Sequence, residues 1–178
     1  MSKQEIVNQY QESVKVKQIL KQIQLDKNQI QITNLVGSLM SFVISETFKK
    51  DDKSYLLILN DKEEAAYHLN DLEQLLDQKN VLFYPGSYRR PYQIEETDNA
   101  NVLMRSEVLN RINSRKKPTI IVTYPEALFE KVVTKKDLER NTLKLSVSES
   151  VSLDFVNEIL FEYNFNRVDF VTEPGDFS

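Results

Sequence analysis

The chain has 178 residues, 40% hydrophobic and 28% charged, with a formal net charge of −4 at pH 7. That suits one full core and a small appendage, and the acidic balance offers nucleic-acid phosphates no overall attraction. With no cysteine, disulfides, thiolate nucleophiles and thiolate metal sites are excluded together.

Residues Lys3 to Gln24 place Ile6, Val7, Tyr10, Val14, Ile19, Leu20 and Ile23 at helical spacing, with Ser13 able to cap a second segment. The polar opening Met1 to Gln11 lacks the apolar centre of a signal peptide, and no apolar run is long enough to cross a bilayer, so a cytoplasmic protein with no membrane partner is expected. From Gln29 to Phe48 the pattern is alternation at Ile30 and Ile32, a tight turn at Gly37, then an apolar run. It predicts a strand over Ile30–Asn34 and a helix from Gly37 to Lys49.

After a polar turn at Asp51–Lys53, Tyr55–Leu59 is a continuous apolar strand of the kind buried on both faces in parallel sheets. Asn60 and Asp61 can cap a helix whose inward stripe is Ala65, Leu69, Leu72 and Leu76. Val81–Tyr84 is another short strand, stopped by Pro85 and Gly86. Gly86 to Asn101 has no periodicity and reads as the longest loop. Val102 to Arg115 predicts a helix with Met104, Val108, Leu109 and Ile112 inward. Thr119–Thr123 follows as a fourth apolar strand, then a short helix near Ala127–Val132. Helix-separated strands imply crossovers and parallel pairing, so the expected fold is an open, mainly parallel four-stranded α/β sheet with flanking helices over residues 1–134.

Beyond Thr134 the period changes. Thr142–Val147 alternates as a half-exposed antiparallel strand does, Ser152 can cap a helix with Leu153, Val156, Leu160 and Tyr163 inward, and Arg167–Val171 alternates again. The turn signal Pro174-Gly175 has nothing after it to complete a hairpin. Residues 135–178 are therefore expected to be a partial α+β second domain of about 40 residues, cut before its end.

The strand, turn and helix around Gly37 have the outline of a phosphate-binding loop, which needs two glycines, a lysine for the terminal phosphates and a hydroxyl for Mg²⁺. With Gly37 as the second glycine, Ile32 stands where the first belongs, Ser38 replaces the lysine and Leu39 replaces the hydroxyl residue. The frame of a nucleotide-binding fold is present without its chemistry, and no cofactor is expected in this chain. Glu126, after the last strand, could be a water-activating carboxylate, but Thr123-Tyr-Pro-Glu126 also fits a capping box with Pro125 in the first turn, which needs fewer assumptions.

Tyr84, Tyr88, Arg89, Arg90 and Tyr92 combine stacking surfaces with cations, the chemistry of a single-strand nucleic-acid platform, although Glu95, Glu96 and Asp98 partly cancel the charge. Arg115, Lys116 and Lys117 suit a helix C-terminus. His68 is the sole histidine, has no second ligand for a metal and reads as a boundary surface residue. No catalytic residue and no metal set are nominated. The residues describe a non-catalytic α/β binding domain, with a single-strand nucleic-acid module using the Tyr84–Tyr92 loop as the alternative.

Several motifs occur in a fixed order: Thr33-Asn-Leu-Val-Gly37-Ser, Leu56-Leu-Ile-Leu-Asn, Tyr84-Pro-Gly-Ser-Tyr with Pro91-Tyr92, Arg105-Ser-Glu-Val-Leu, Ile121-Val-Thr-Tyr-Pro-Glu-Ala-Leu, and Phe165-Asn-Arg-Val-Asp-Phe-Val-Thr-Glu-Pro-Gly-Asp-Phe. This string resembles the N-terminal region of bacterial transcription-repair coupling factors. Two departures lie in the last motif, where Asn164 occupies the family's usual glycine and Asp176 its usual glutamate.

The resemblance implies a module similar to the excision-repair protein UvrB: a degenerate helicase-like domain followed by an inserted domain that recruits UvrA. It also implies that ATP with Mg²⁺, DNA translocation and RNA polymerase binding belong to other domains of the full-length factor. The loop Gly86–Asn101 falls where the UvrB-like relative carries a DNA-clamping hairpin, and is short and unpatterned for that role. No residue of the chain matches the family's main UvrA-contact position.

Overall fold

The computed structural model describes residues 3–25, 28–88, 98–114, 117–140, 142–143, 145–163, 165–172 and 175–178. In chain order its elements are helices α1 (Lys3–Gln11), α2 (Val14–Ile23) and α3 (Leu39–Phe48), strand β1 (Tyr55–Ile58), helix α4 (Lys62–Leu75), a 3₁₀ turn at Gln78–Asn80, strand β2 (Val81–Tyr84), helix α5 (Asn99–Ser114), strand β3 (Ile120–Thr123), helices α6 (Pro125–Phe129), α7 (Lys135–Arg140) and α8 (Leu153–Glu162), and two-residue strands β4 (Asn166–Arg167) and β5 (Asp176–Phe177). They fall into two compact units, one of Met1–Tyr84 with Arg115–Pro125, the other of Pro85–Ser114 with Glu126–Ser178.

In the first unit, β1, β3 and β2 form a parallel sheet in that order, with Tyr55 and Val81 both in register with Ile120. The last strand in sequence is thus the central one. Its four residues, Ile120 to Thr123, are all buried, which is why this run has no polar alternation. Thr123, the one polar side chain among them, donates its hydroxyl to the Tyr84 carbonyl at 2.8 Å. That hydroxyl is turned toward β2 and not toward a helix cap, so the capping box expected at Thr123–Glu126 is not formed by it.

Helix α4 carries the chain from β1 over to β2 and packs on β2 and β3 with Ala65 and Leu72 fully buried. Its start is built by Asp61, which accepts the Glu64 N–H at 2.8 Å, while Glu64 reaches back to the Asn60 N–H at 2.9 Å. Helix α3 packs against α4 on one side and α1 and α2 on the other. Both N-terminal helices have their last carbonyls met by lysines that follow α3: Lys50 donates to Gln11 O at 2.8 Å and Lys53 to Ile23 O at 3.3 Å. Tyr10 stacks on Phe42, ring centroids 5.3 Å apart.

Three expectations are corrected. Ile30–Asn34 is not a strand, so the sheet has three strands and not four; Ile30 and Ile32 are 39% and 42% exposed, and left-handed residues at Asn34 and Gly37 (φ +64° and +56°) bend the chain out of extension. Two alternating side chains bury too little to hold a strand against that geometry. The described part of Thr142–Val147 is irregular too, with Leu145 and Val147 exposed, because alternation without a neighbouring strand leaves backbone groups to water. The helix placed at Val102 begins at Asn99, because the Asp98 carboxylate accepts the N–H groups of Ala100 and Asn101 at 3.0 and 3.2 Å.

In the second unit, β4 and β5 pair in parallel through Asn166 N–H to Gly175 O and Val168 N–H to Phe177 O. Phe177 is buried edge-on against Phe161 of α8, with centroids 5.2 Å apart.

Two outcomes follow from this packing. Asp61→Ala should cost about 1 kcal/mol by loss of the α4 cap, read from urea unfolding. Burial, reinforced by the hydroxyl's hydrogen bond to Asp51 at 3.0 Å, raises Tyr55 from 10.0 to about 12. A phenol whose pKa is higher folded than unfolded stabilises the fold fully below pH 10 and loses that contribution as pH climbs to about 12. Tyr55→Phe should therefore flatten the fall in urea midpoint between pH 10 and 12; an unchanged alkaline slope would count against this assignment.

Candidate functional site

Gly37 is exposed and left-handed, and with Ser38 it forms the turn into α3. The turn is not an open cradle. Ser38 Oγ lies 2.6 Å from the Tyr67 hydroxyl on α4, so its hydroxyl is committed to holding the turn to that helix, and it makes no cap bond to α3. Leu39 starts α3 and turns toward a groove of about 780 Å³ lined by Tyr10, Val16, Ile32, Leu35 and Val43 among others. Among the described residues Lys15 is the one charged side chain along it. Ile32 and Leu39 thus border one groove of mixed polar and apolar lining, while Ser38 is held by a tyrosine. This arrangement can pack side chains, and it places neither an ammonium nor a free hydroxyl at the helix entry.

One turn further along α3, the fully buried Ser41 sits 2.8 Å from Nδ1 of His68, which is only 5% exposed. His68 is therefore a core residue joining α3 to α4, against the expectation of a surface position. The Ala65 and Leu72 stripe passes one residue away from it, and the helix buries a wider arc than that stripe implies.

In the second unit the loop after β2 is tied at both ends. Ser87 O accepts the Asp98 N–H at 2.8 Å, and Asn101 Nδ2 donates to Gly86 O at 2.9 Å. The Glu130 carboxylate accepts the Ser87 N–H at 2.8 and 2.9 Å and its hydroxyl at 2.6 Å. Arg105 completes the anchor from α5: its Nη1 donates to Pro85 O at 2.7 Å and Ala127 O at 3.0 Å, and lies 3.4 Å from Glu130 Oε2. Both charges are largely out of water, at 7% and 17% side-chain exposure. The two N–H groups of Nη1 serve the two carbonyls, with the Glu130 carboxylate beside them as counter-charge.

Of the residues proposed for nucleic-acid contact, Tyr88 is half-buried at the foot of this loop. Arg89, Arg90 and Tyr92 lie outside the described residues. Tyr84 is buried in the sheet at 7% exposure, which removes it as an open stacking surface. Glu126 is exposed on α6. Among the described residues no group of three or more His, Asp or Glu side chains could hold a metal ion, and no helix is long and apolar enough to cross a membrane.

The anchor pair Arg105 and Glu130 was not legible from periodicity. Met104 and Ile112, expected inward, are 36% and 48% exposed, whereas Arg105 and Val108 are the buried residues of α5. The available signal was the Arg105-Ser-Glu-Val-Leu motif, in which an arginine is one position away from an apolar stripe.

These features define a mixed α/β fold with a small, open, parallel three-stranded sheet. No protein-family model matches the chain. It is homologous to part of bacterial transcription-repair-coupling factors: 26% identical over 148 residues to that of Bacillus subtilis, 22% over 137 residues to that of Rickettsia typhi, and 29% over 154 residues to that of Staphylococcus haemolyticus. These alignments take in 83%, 77% and 84% of the chain, yet it spans only 12 to 13% of the length of these relatives.

Arg105→Ala would leave the Glu130 carboxylate buried without its cation and two carbonyls without a donor. A loss of about 3–5 kcal/mol is expected, seen as a lowered urea midpoint and faster hydrogen exchange at the Ser87 amide. Arg105→Lys should restore only part of it, since an ammonium is more strongly hydrated than a guanidinium and costs more to bury. Equal stability of wild type and Arg105→Ala would remove the anchor from this account.

Proposed function

We propose that the chain is a non-catalytic module of a transcription-repair coupling factor, which scaffolds the recruitment of UvrA in transcription-coupled excision repair of DNA. The observation that carries the reading is the homology to these factors taken together with the Gly37 turn, where Ser38 is bonded to Tyr67 and an apolar Leu39 stands at the start of α3. A chain with such a turn has lost the means to grip a nucleotide triphosphate. In this reading residues 1–134 form the degenerate helicase-like scaffold and residues 135–178 the beginning of the UvrA-recruiting domain. ATP with Mg²⁺, DNA translocation and RNA polymerase contacts are assigned to other domains of the whole factor.

Val147, Leu153 and Phe170 of the second segment are more than four-fifths exposed, as are Val36 and Phe129 of the first. Titration calorimetry with ATP and Mg²⁺ is expected to give no heat of binding, and tight Mg²⁺-dependent binding would overturn the non-catalytic assignment. Titration with UvrA should show binding by a longer piece of the same protein carrying roughly 40 further residues, and none by the present chain. Equal binding by both would refute the division.

A further inference from the structure

We propose that the groove between α2 and the chain leading into the Gly37 turn binds a short peptide segment of a partner protein, apolar in character and carrying one acidic residue. The groove lies wholly within the first unit. Its volume of about 780 Å³ falls in the range of about 300–1,000 Å³ typical of ligand sites. Helix α2 lines one side and residues 30–35 the other, and the buried Val16 and Val43 lie beneath. These two valines with Ile19 and Leu39 give it an apolar bed.

The polar groups along the groove match those of a peptide. Gln18, Gln31, Thr33 and Asn34 line it, and among the described residues none of their side chains makes a hydrogen bond within the protein. A carboxamide offers donors and an acceptor on one flat group, which answers the N–H and C=O that every peptide unit presents. The backbone along this side is open as well. Residues 29–35 belong to no helix or strand and make no backbone–backbone hydrogen bond among the described residues. Their amides and carbonyls are thus free to pair with a second chain laid beside them, as in recognition by strand addition.

The sign of the ligand's charge follows from Lys15. It is exposed, it is the one charged side chain along the groove among the described residues, and it has no ion pair there; its neighbour Lys17 is held by Glu12 at 3.1 Å. An exposed pair of charges adds little affinity. It does select between partners, since an acidic side chain is attracted to this ammonium and a basic one repelled. Apolar side chains on the bed, backbone paired along residues 29–35 and one carboxylate at Lys15 together describe the ligand.

Selection of a random heptapeptide library, displayed on phage, against the immobilised 178-residue chain tests this. Enrichment of peptides with one Asp or Glu among apolar residues is expected, and the same selection on Lys15→Glu should enrich Lys or Arg in that place. Titration with the leading enriched peptide, followed in two-dimensional amide NMR spectra, should shift the amides of α2 and of residues 29–35. Ile32 lines the same groove and is 42% exposed, so Ile32→Asp should leave the fold intact by circular dichroism and weaken that peptide at least several-fold. No enrichment over the unselected library would overturn the proposal. So would an enriched peptide that binds Lys15→Glu equally well, or shifts that leave α2 and residues 29–35 unmoved.

Discussion

The central place of β3 is the constraint on which the first unit depends. Ile120 to Thr123 is the last part of that unit to be made, yet it lies between β1 and β2 and pairs with both. Neither outer strand has another partner among the described residues. β1 and β2 are therefore held side by side only once a segment some 40 residues beyond β2 has come back to separate them. The full burial of all four β3 residues stabilises this non-local pairing, and the Thr123 hydroxyl on Tyr84 O ties the polar exception into the same ladder.

Helices α3 and α4 are joined by polar contacts on top of apolar burial. Ser38 with Tyr67 and Ser41 with His68 form two successive rungs between them, the first at the surface and the second in the core. The turn at Gly37 is thereby built as a packing device. Ser38 holds the start of α3 to α4, and that contact is the link between the fold and the proposed role as a scaffold.

A separate device shapes the second unit. A buried guanidinium and a half-buried carboxylate are costly to take out of water, and they are tolerated where several hydrogen bonds answer each of them. Arg105 and Glu130 meet that condition through Pro85, Ala127 and Ser87. Together they fix Pro85 and Ser87, just after β2.

Much of this was determined by the sequence alone. Continuous apolar runs bounded by turn residues placed β1, β2 and β3, and Asp61 marked the start of α4, because local pattern and capping chemistry act over a few residues. The turn at Gly37 into helix α3 could also be read directly, since a glycine before an apolar run marks such a turn. Only the tertiary structure decided that Ile30–Asn34 stays outside the sheet, that Thr142–Val147 does not form a strand, that His68 is buried and that Arg105 faces inward. Each of these turns on what a residue meets from a distant part of the chain: a strand exists by its neighbour, and a polar group can be buried only where its partners are in place.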